Sequence, residues 1–429
     1  MAFLSFPTAV LPVLIMGCGA FYLFKLRFFF FSHPIKTVRA MISESAGLRA
    51  LSLSLAGTLG VGNIVGVAVA ISLGGAGAVF WMWASALIAA VLKYAEIVLA
   101  VKYREVCGDG YRGGPMYYMK NGVGGNFGRV LAAVFALIGV VLSFVLGNLV
   151  QSRAAVGAVQ SVVNVPSLAV GAILALLCAA SIFGGYGTVS RVTSVIVPIM
   201  SGAYIVIALK IVISNASTLP DVMEKIFSSA FTPSSAGGGI VGFFTGAALR
   251  HGVAKGAYSH EAGGGTAPLS HAQAKTKSPA GEGLLGLFEV FFDTIVICTL
   301  TAFVILLYGG DGVGMALVSD AFAYFCGDAG RYIVAVAIVF FAFSTLICWG
   351  FYGKTCLEYL CKSRRVGGVY LAAYCAFVVV GALVGEARVW MLTDFGVAVM
   401  TAVNLVAVVA LWRDVKAETE LLGFTKFRR

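Results

Sequence analysis

Residues 56–75 read AGTLGVGNIVGVAVAISLGG. This stretch is apolar and long enough to cross about 30 Å of hydrocarbon, yet its first half contains Gly57, Gly60 and Gly62, followed by the amide of Asn63. Each glycine lowers helix stability by about 1 kcal/mol relative to alanine, and a buried amide without partners costs roughly 2–7 kcal/mol. The pattern therefore predicts a membrane helix that is interrupted where its backbone lines a cavity.

The composition of the whole chain is that of an integral membrane protein. Its 429 residues are 60% hydrophobic and 11% charged, whereas soluble domains are roughly 45–50% apolar and 25% charged. The mean hydropathy is +0.95. The nine cysteines form no CxxC pair and no zinc-ligand spacing, so we expect no transition-metal site. These features predict an all-α polytopic membrane protein in which 1–429 form a single transmembrane domain.

Apolar segments of about 20 residues, each long enough to span a bilayer, recur along the sequence. They predict about eleven transmembrane helices, at 3–24, 51–73, 76–102, 129–150, 167–185, 191–213, 239–260, 284–308, 331–353, 367–385 and 389–412. The first segment has no basic region before it and no evident cleavage site after it. We expect it to remain as a helix.

The basic residues are distributed unequally between the two sides of this predicted topology. Of the 30 Lys and Arg residues, Lys93 lies within a span and 24 fall in one set of alternate connections, including the cytoplasmic tail 413–429. The other set contains Arg153, Lys210, Lys225, Arg331 and Arg388. The positive-inside rule places the N-terminus outside and the C-terminus in the cytoplasm of a cell (inner) membrane. The net charge of +11 is therefore explained by the orientation of the protein in the membrane lipid. We expect no nucleic-acid partner.

A second interrupted segment lies five spans after the first. Residues 237–268 read GGGIVGFFTGAALRHGVAKGAYSHEAGGGTAP and mix glycines with Arg250, His251 and Lys255. Charged side chains inside a span favour a position along a cavity, and paired interruptions in two halves point to a secondary transporter. This spacing predicts two five-helix repeats, 51–213 and 239–412, preceded by the extra helix 3–24.

Several sequence blocks resemble the alanine or glycine:cation symporters of the amino acid–polyamine–organocation superfamily. These blocks are AGTLGVGNIVGVAVAISLGGAGAVFWMW (56–83), KYAEIVLAVKYRE (93–105), YRGGPMYYM (111–119), GVAKGAYSHEAGGGTAP (252–268), LFEVFFDTIVICTLTA (287–302) and FAFSTLICWGFYGK (341–354). The resemblance implies a leucine-transporter-type 5+5 inverted repeat and sodium-coupled uptake of alanine or glycine by alternating access. The family commonly has SNEAG followed by Leu or Met and then GSAP, whereas residues 259–268 read SHEAGGGTAP, which affects substrate preference or gating.

The first interruption has the chemistry to bind an amino acid. Glycines let backbone amides approach a carboxylate, and a half-helix points its positive dipole end at it. Alternatively, Gly62 and Gly66 form a GxxxG packing face. Gln151 and Trp349 are expected to enclose the substrate, although Trp349 is also consistent with an ordinary packing aromatic. The predicted substrate-binding residues are Thr58, Gly60, Gly62, Asn63, Gln151, Gly246, Thr345 and Trp349.

The resemblance also implies two sodium sites, built from the oxygen ligands that hard cations prefer. The Asn63 amide oxygen and the Thr245 hydroxyl would hold an ion beside the substrate. The carbonyls of Ala56 and Leu59 and the hydroxyls of Ser344 and Thr345 would hold another. Alternatively, these two hydroxyls bond to carbonyls of their own helix. Na⁺ is the expected coupling ion, and no other cofactor is expected.

Ionisable residues inside the spans leave other interpretations open. Glu289 and Asp293 share a helix face, as do Lys93 and Glu96, and such carboxylates mark either ion routes or structural pairs with partners such as Arg250 and Lys255. The alternatives to a sodium symporter are a proton-coupled carrier, a channel or receptor, and a membrane enzyme. A metal-dependent hydrolase using His251, His260, His271 and Glu261 lacks the second histidine of HExxH.

Overall fold

The computed structural model describes residues 2–43, 47–108, 110–231, 246–361 and 363–423. Almost all of these residues are helical. A short hairpin forms where strand β1 (Glu105–Cys107) pairs antiparallel with strand β2 (Gly110–Arg112), with Val106 opposite Tyr111.

The helices of the first half run from the N-terminus to residue 230. They are α1 (Ala2–Lys25), α2 (Phe29–Ser32), α3 (Pro34–Ser43), α4 (Leu48–Thr58), α5 (Val65–Gly74), α6 (Gly77–Lys102), α7 (Pro115–Tyr118), α8 (Gly125–Gln160), α9 (Ser167–Ile182), α10 (Gly185–Ser214) and α11 (Leu219–Ala230). Single 3₁₀ turns occupy Val61–Asn63 and Ala216–Thr218, and π-helical stretches occupy Met119–Val123 and, within α8, Val145–Val150.

The second half contains eight further helices among the described residues. They are α12 (Ala247–His260), α13 (Ala267–His271), α14 (Pro279–Tyr308), α15 (Gly314–Cys326), α16 (Asp328–Leu360), α17 (Arg364–Leu383), α18 (Glu386–Ala410) and α19 (Trp412–Glu420). A π-helical stretch, Phe291–Cys298, lies in the middle of α14. Such stretches are often found at functional sites.

The structure confirms a multi-pass helical membrane protein. Within the described ranges, seven helices are long and apolar enough to cross a membrane: Gly77–Lys102, Gly125–Gln160, Gly185–Ser214, Pro279–Tyr308, Asp328–Leu360, Arg365–Leu383 and Leu392–Ala410. Four shorter apolar helices are Val10–Lys25, Val65–Gly74, Ser167–Ile182 and Gly314–Cys326. Each predicted span overlaps a helix, although the first part of the seventh span, 239–245, lies outside the described residues. The count of eleven crossings stays a prediction.

Both predicted interruptions are present. Helix α4 ends at Thr58 and α5 begins at Val65, with an extended Gly60 (φ −124°, ψ −162°) between them. Helix α12 ends at His260, where Glu261 adopts a left-handed conformation (φ 50°), and α13 begins at Ala267. Residues 59–64 and 261–266 are called the first break and the second break below.

Four helices of nine or more residues are absent from the sequence prediction, as are the hairpin and the short helices α2, α7 and α13. Helices α3, α11 and α19 are short and amphipathic, and α15 has 13 residues. Spans were predicted only where an apolar segment of about 20 residues occurs. Helices that lie along the bundle or its surface do not contain such a segment and were therefore not predicted.

Helix α6 is the centre of the packing around the second break. It is buried along most of its length, with α12 on one side and α14 on another. Close approach depends on glycines: a Cβ on Gly286 of α14 would lie 2.6 Å from Ile97 Cδ1, and a Cβ on Gly252 of α12 would lie 2.8 Å from Trp81 Cβ and would overlap the Ala78 carbonyl oxygen.

We predict that Gly252→Leu destabilises the protein, because α12 has to move away from α6 to admit the side chain. Overpacking of this kind costs typically about 1–3 kcal/mol. The measurement is the Tm of purified protein in detergent. The control is Gly202→Leu in α10, where an added Cβ would meet no atom within 4 Å. Equal Tm values for the two variants would contradict the packing described here.

Candidate functional site

The first break is closed by the side chain of Asn63. Its Oδ1 accepts a hydrogen bond from the Gly60 backbone N–H at 3.1 Å. Its Nδ2 donates to Asp293 Oδ1 at 2.6 Å. The amide is fully buried, and both of its ends are satisfied by groups that a regular helix would not bring to it.

Asp293 lies at the meeting point of three helical elements. Besides the Asn63 amide, its carboxylate accepts hydrogen bonds from the hydroxyls of Ser259 and Thr294, both at 2.8 Å. The side chain is buried, and among the described residues it is in no salt bridge with a basic side chain. A buried carboxylate with two hydroxyl oxygens beside it offers the oxygen ligands that a small hard cation prefers, whereas the Asn63 amide presents its nitrogen to this carboxylate.

Asp293 and Ser259 were not included in the sequence-based ion site. The available signal was the mid-span carboxylate in FFDTIV, four residues after Glu289. The sequence could not show that the π-helical stretch of α14 faces the first break, since side-chain direction there departs from the α-helical period.

Three of the four residues predicted for the second ion site are in direct contact. Thr345 Oγ1 lies 3.1 Å from the Ala56 carbonyl oxygen and Ser344 Oγ lies 3.5 Å from it. Both hydroxyls also donate to the Phe341 carbonyl, at 3.0 and 2.9 Å, so the bonds of the alternative interpretation are present too. Leu59 leaves the helical conformation (ψ 81°), which turns its carbonyl away from the α4 axis.

The other predicted residues of the first break have close neighbours from α8, α12 and α16. A Cβ on Gly60 would lie 2.9 Å from Thr345 Oγ1 and 3.7 Å from Gln151 Oε1. Gln151 Oε1 is buried and has no hydrogen-bond partner among the described residues. A Cβ on Gly62 would lie 3.2 Å from the Tyr258 ring. The Thr58 hydroxyl bonds back to the Ser54 carbonyl at 3.3 Å.

A small cavity of about 20 Å³ adjoins the second break. Its lining includes Trp349, Tyr258, Glu261 and Thr266, and Thr266 Oγ1 donates to Glu261 Oε2 at 2.6 Å. Trp349 packs so closely on α8 that Gly147 has no room for a Cβ. Trp349 is therefore a packing aromatic that also lines a cavity, and Glu261 is a partly buried carboxylate that was not predicted among the substrate residues.

Two predicted residues are not brought to this site by the described structure. Gly246 precedes α12, and the 14 residues of that helix separate it from the second break by about 20 Å at 1.5 Å per residue. Ala247, the next residue, lies beside Gly74 at the far end of α5. The described structure therefore does not place Gly246 beside the other predicted substrate residues, and its role in substrate binding stays a prediction. Thr245 lies outside the described residues.

A larger cavity of about 360 Å³ lies beside the first break. It is lined by α5, α8, α12 and the start of α15, and its charged residues are Arg153 and Lys255. Lys255 was proposed from the sequence as a partner for the carboxylates of α14. It instead lines this cavity and interacts electrostatically with Asp394.

The actual partner of Glu289 is Lys93. Lys93 Nζ lies 2.9 Å from Glu289 Oε2, with both side chains fully buried, and it also donates to the His260 carbonyl at 2.8 Å. Neither Arg250 nor Lys255 makes this bond. Glu96, one turn after Lys93, accepts backbone N–H groups of Gly263 and Gly265 at 3.1 and 2.9 Å and the amide of Asn404. Both α6 residues therefore hold the second break in place.

A membrane-embedded helical bundle in which two interrupted helices meet, with carboxylates, hydroxyls and a cavity at the breaks, defines a secondary transporter. The crystal structure of MhsT in complex with L-phenylalanine has the same leucine-transporter fold. The TM-score is 0.62 at 13% sequence identity, and the match covers 87% of this chain and 91% of MhsT.

The profile of the sodium:alanine symporter family matches residues 3–426, and the chain belongs to this family. Sodium/alanine symporter AgcS of Methanococcus maripaludis is 36% identical over 438 residues, covering 97% of this chain and 94% of AgcS. An uncharacterized transporter of Haemophilus influenzae is 38% identical over 426 residues, covering 96% and 92%. The resemblance inferred from the sequence blocks is confirmed, and the protein is a transporter, not an enzyme.

We predict that Glu289→Gln strongly destabilises the protein, because it leaves the Lys93 ammonium buried without its carboxylate. Breaking a buried pair in this way costs about 3–5 kcal/mol. The matched control is Glu358→Gln, which breaks the partly exposed Lys354–Glu358 pair at a cost below about 1 kcal/mol. Thermal unfolding in detergent measures both. A Glu289→Gln protein as stable as the control would contradict a stabilising role of the Lys93–Glu289 pair.

Proposed function

We propose that this protein imports a small neutral amino acid, alanine or glycine, by symport with sodium. The substrate binds between the two breaks near the middle of the membrane, and the helix bundle then rocks to release substrate and ion on the other side. The proposal includes the 5+5 inverted repeat with one additional N-terminal helix, and an orientation in the cell membrane with the N-terminus outside and the C-terminus in the cytoplasm.

The observation that carries this proposal is the direct contact between the two interrupted helices. Gly62 of the first break packs against Tyr258 of α12, and Asp293 joins Asn63 to Ser259 through hydrogen bonds of 2.6 and 2.8 Å. A ligand bound at this contact touches both interrupted helices at once. Its binding energy can therefore favour one arrangement of the bundle over another.

The charges around the breaks suit a free amino acid. The first turn of α5 begins at the first break and presents backbone N–H groups and the positive end of its dipole to the substrate carboxylate. Arg153 and Lys255 line the cavity that adjoins this break. Glu261 places a carboxylate in the cavity beside Trp349, where it is positioned to accept the substrate ammonium.

The volume available favours a small side chain. A cavity of about 20 Å³ accommodates roughly one water molecule. An amino acid therefore requires the breaks to move apart, and each additional methylene group of the substrate requires more movement. Trp349 is held against Gly147 and leaves little freedom on its side of the cavity.

Two oxygen clusters are suitable for sodium. The first combines the Asp293 carboxylate, the Ser259 hydroxyl and Asn63, beside the substrate. The second combines the Ala56 carbonyl with Ser344 and Thr345, whose separations of 3.1–3.5 Å from that carbonyl are compatible with ligands at roughly 2.3–2.6 Å from one cation. The first cluster adds Asp293 and Ser259 to the predicted Asn63, while the predicted ligand Thr245 lies outside the described residues.

The test of the proposed function is uptake of radiolabelled alanine, glycine and leucine into proteoliposomes. We expect alanine or glycine uptake to require an inward sodium gradient and to exceed leucine uptake. Replacing sodium with choline while a proton gradient is imposed distinguishes a proton-coupled carrier. Undiminished alanine uptake in choline would exclude sodium coupling, and leucine uptake equal to alanine uptake would exclude the size argument.

We predict that the double variant Ser344→Ala and Thr345→Ala raises the sodium concentration for half-maximal uptake about tenfold or more, because a loss of at least about 1.4 kcal/mol in ion binding is a factor of ten. The matched control is Thr355→Ala on the same helix. Its hydroxyl donates to the Phe351 carbonyl at 2.9 Å, in the same back-bonded geometry but away from Ala56. An identical sodium dependence for both variants would assign Ser344 and Thr345 to helix back-bonding alone.

A further inference from the structure

His271 lies between two glutamates in the interior of the bundle. Its Nδ1 is 2.6 Å from Glu282 Oε1 and its Nε2 is 2.5 Å from Glu289 Oε1. All three side chains are fully buried. These three residues are called the His271 triad below. They connect α13 to Glu282 and Glu289, which lie about two turns apart on α14.

The two short contacts require one more proton than a neutral imidazole carries. A neutral histidine has one N–H donor and one acceptor nitrogen, and an ionised carboxylate has acceptors only. One of the two contacts would then place a nitrogen lone pair against a carboxylate lone pair, at a separation too short for a water molecule to lie between them. Both contacts are hydrogen bonds when a proton occupies each ring nitrogen.

The charges of the neighbouring groups are balanced when this proton is present. The Lys93 ammonium pairs with Glu289, and the Ser54 hydroxyl donates to the same carboxylate at 2.8 Å. With two cations and two carboxylates, the cluster has no net charge. Removing the proton leaves a net negative charge in a fully buried position, which is strongly unfavourable.

Other titratable groups face the His271 triad from the surrounding helices. Tyr352 of α16 shares a hydrogen bond of 2.9 Å with Ser270, beside His271. Arg104, which binds the carbonyls of Ala272, Ala274 and Thr276, interacts electrostatically with Glu282. The remaining groups are Tyr94 of α6, Tyr186 of α10, Cys348 of α16 and Arg49 at the start of α4.

We propose that the His271 triad is a buried proton-binding site, separate from both sodium clusters, in which His271 carries a proton on each ring nitrogen. The proton resides on the imidazole because a free imidazole is more basic than a free carboxylate. It holds α13 against α14, while Glu289 continues the contact to α6 and α4. Proton binding does not depend on what is transported, but its effect on uptake rests on the proposed function.

Loss of this proton opposes the packing at the second break. Without it, His271 and one glutamate repel each other, and α13 is no longer held to α14 on one side. Because α13 follows the second break directly, we expect the substrate site to be disrupted. Raising the pH should therefore lower uptake at saturating sodium and leave the sodium concentration for half-maximal uptake unchanged.

Nitrogen NMR of purified protein labelled with ¹⁵N-histidine tests the proton directly and requires no transport. The chain has only four histidines, so His33→Gln, His251→Gln and His260→Gln assign the His271 signals by elimination. We expect both His271 nitrogens to be protonated at pH 7. An unprotonated His271 nitrogen at that pH would overturn the proposal.

The matched functional variant is Glu282→Gln, because the Gln amide provides both a donor and an acceptor and so satisfies a neutral imidazole. In the native protein we expect uptake above the NMR midpoint to fall roughly tenfold per pH unit, as for loss of a single proton. In Glu282→Gln this fall should be absent. The same alkaline fall in both proteins would overturn the role in uptake.

The two proposals fail in distinguishable ways. If the native protein transports no alanine or glycine but His271 is doubly protonated, the proposed substrate is wrong and the proton site remains. If sodium-driven uptake is present and one His271 nitrogen is unprotonated at pH 7, the proton site is wrong and the symport remains. His33→Gln, on the short surface helices before α4, controls for effects of a histidine substitution on uptake.

Discussion

The need to satisfy every backbone and polar group without water governs this protein. A helix that is interrupted inside hydrocarbon exposes N–H and C=O groups, each of which costs several kcal/mol if left unpaired. At the second break Glu96 accepts two of these N–H groups, from Gly263 and Gly265, and Lys93 donates to the His260 carbonyl. The charged residues of α6 therefore satisfy backbone groups that the second break exposes, and the second break in turn forms part of the candidate site.

The same residues link the breaks to the rest of the bundle. Lys93 binds both the end of α12 and Glu289 of α14, and Glu289 continues to Ser54 and His271. Asp293, four residues further along α14, binds Asn63 and Ser259. One helix thus contacts both interrupted helices through two carboxylates. Helix α14 therefore connects the two breaks through direct hydrogen bonds and one ion pair.

Each of the two carboxylates has a different environment, and this separates their roles. Glu289 is neutralised by Lys93 and by the His271 contact, as a structural pair would be. Asp293 receives hydrogen bonds from neutral groups only, so a cation can still neutralise it. Both interpretations were open for these carboxylates from the sequence. Glu289 is in a structural pair with Lys93, and an ion-binding role of Asp293 stays a prediction.

The sequence by itself determined the class of membrane protein, the long apolar helices and the two interruptions, because hydropathy over 20 residues and clusters of glycine are local properties. It also identified the Ala56, Ser344 and Thr345 cluster by resemblance. Only the tertiary structure decided that Asp293 binds Asn63, that Lys93 pairs with Glu289, and that Gly246 lies far from the breaks. These contacts join residues up to 230 positions apart, and they depend on the side-chain directions in a π-helical stretch and on the exact end of α12, which no local pattern specifies.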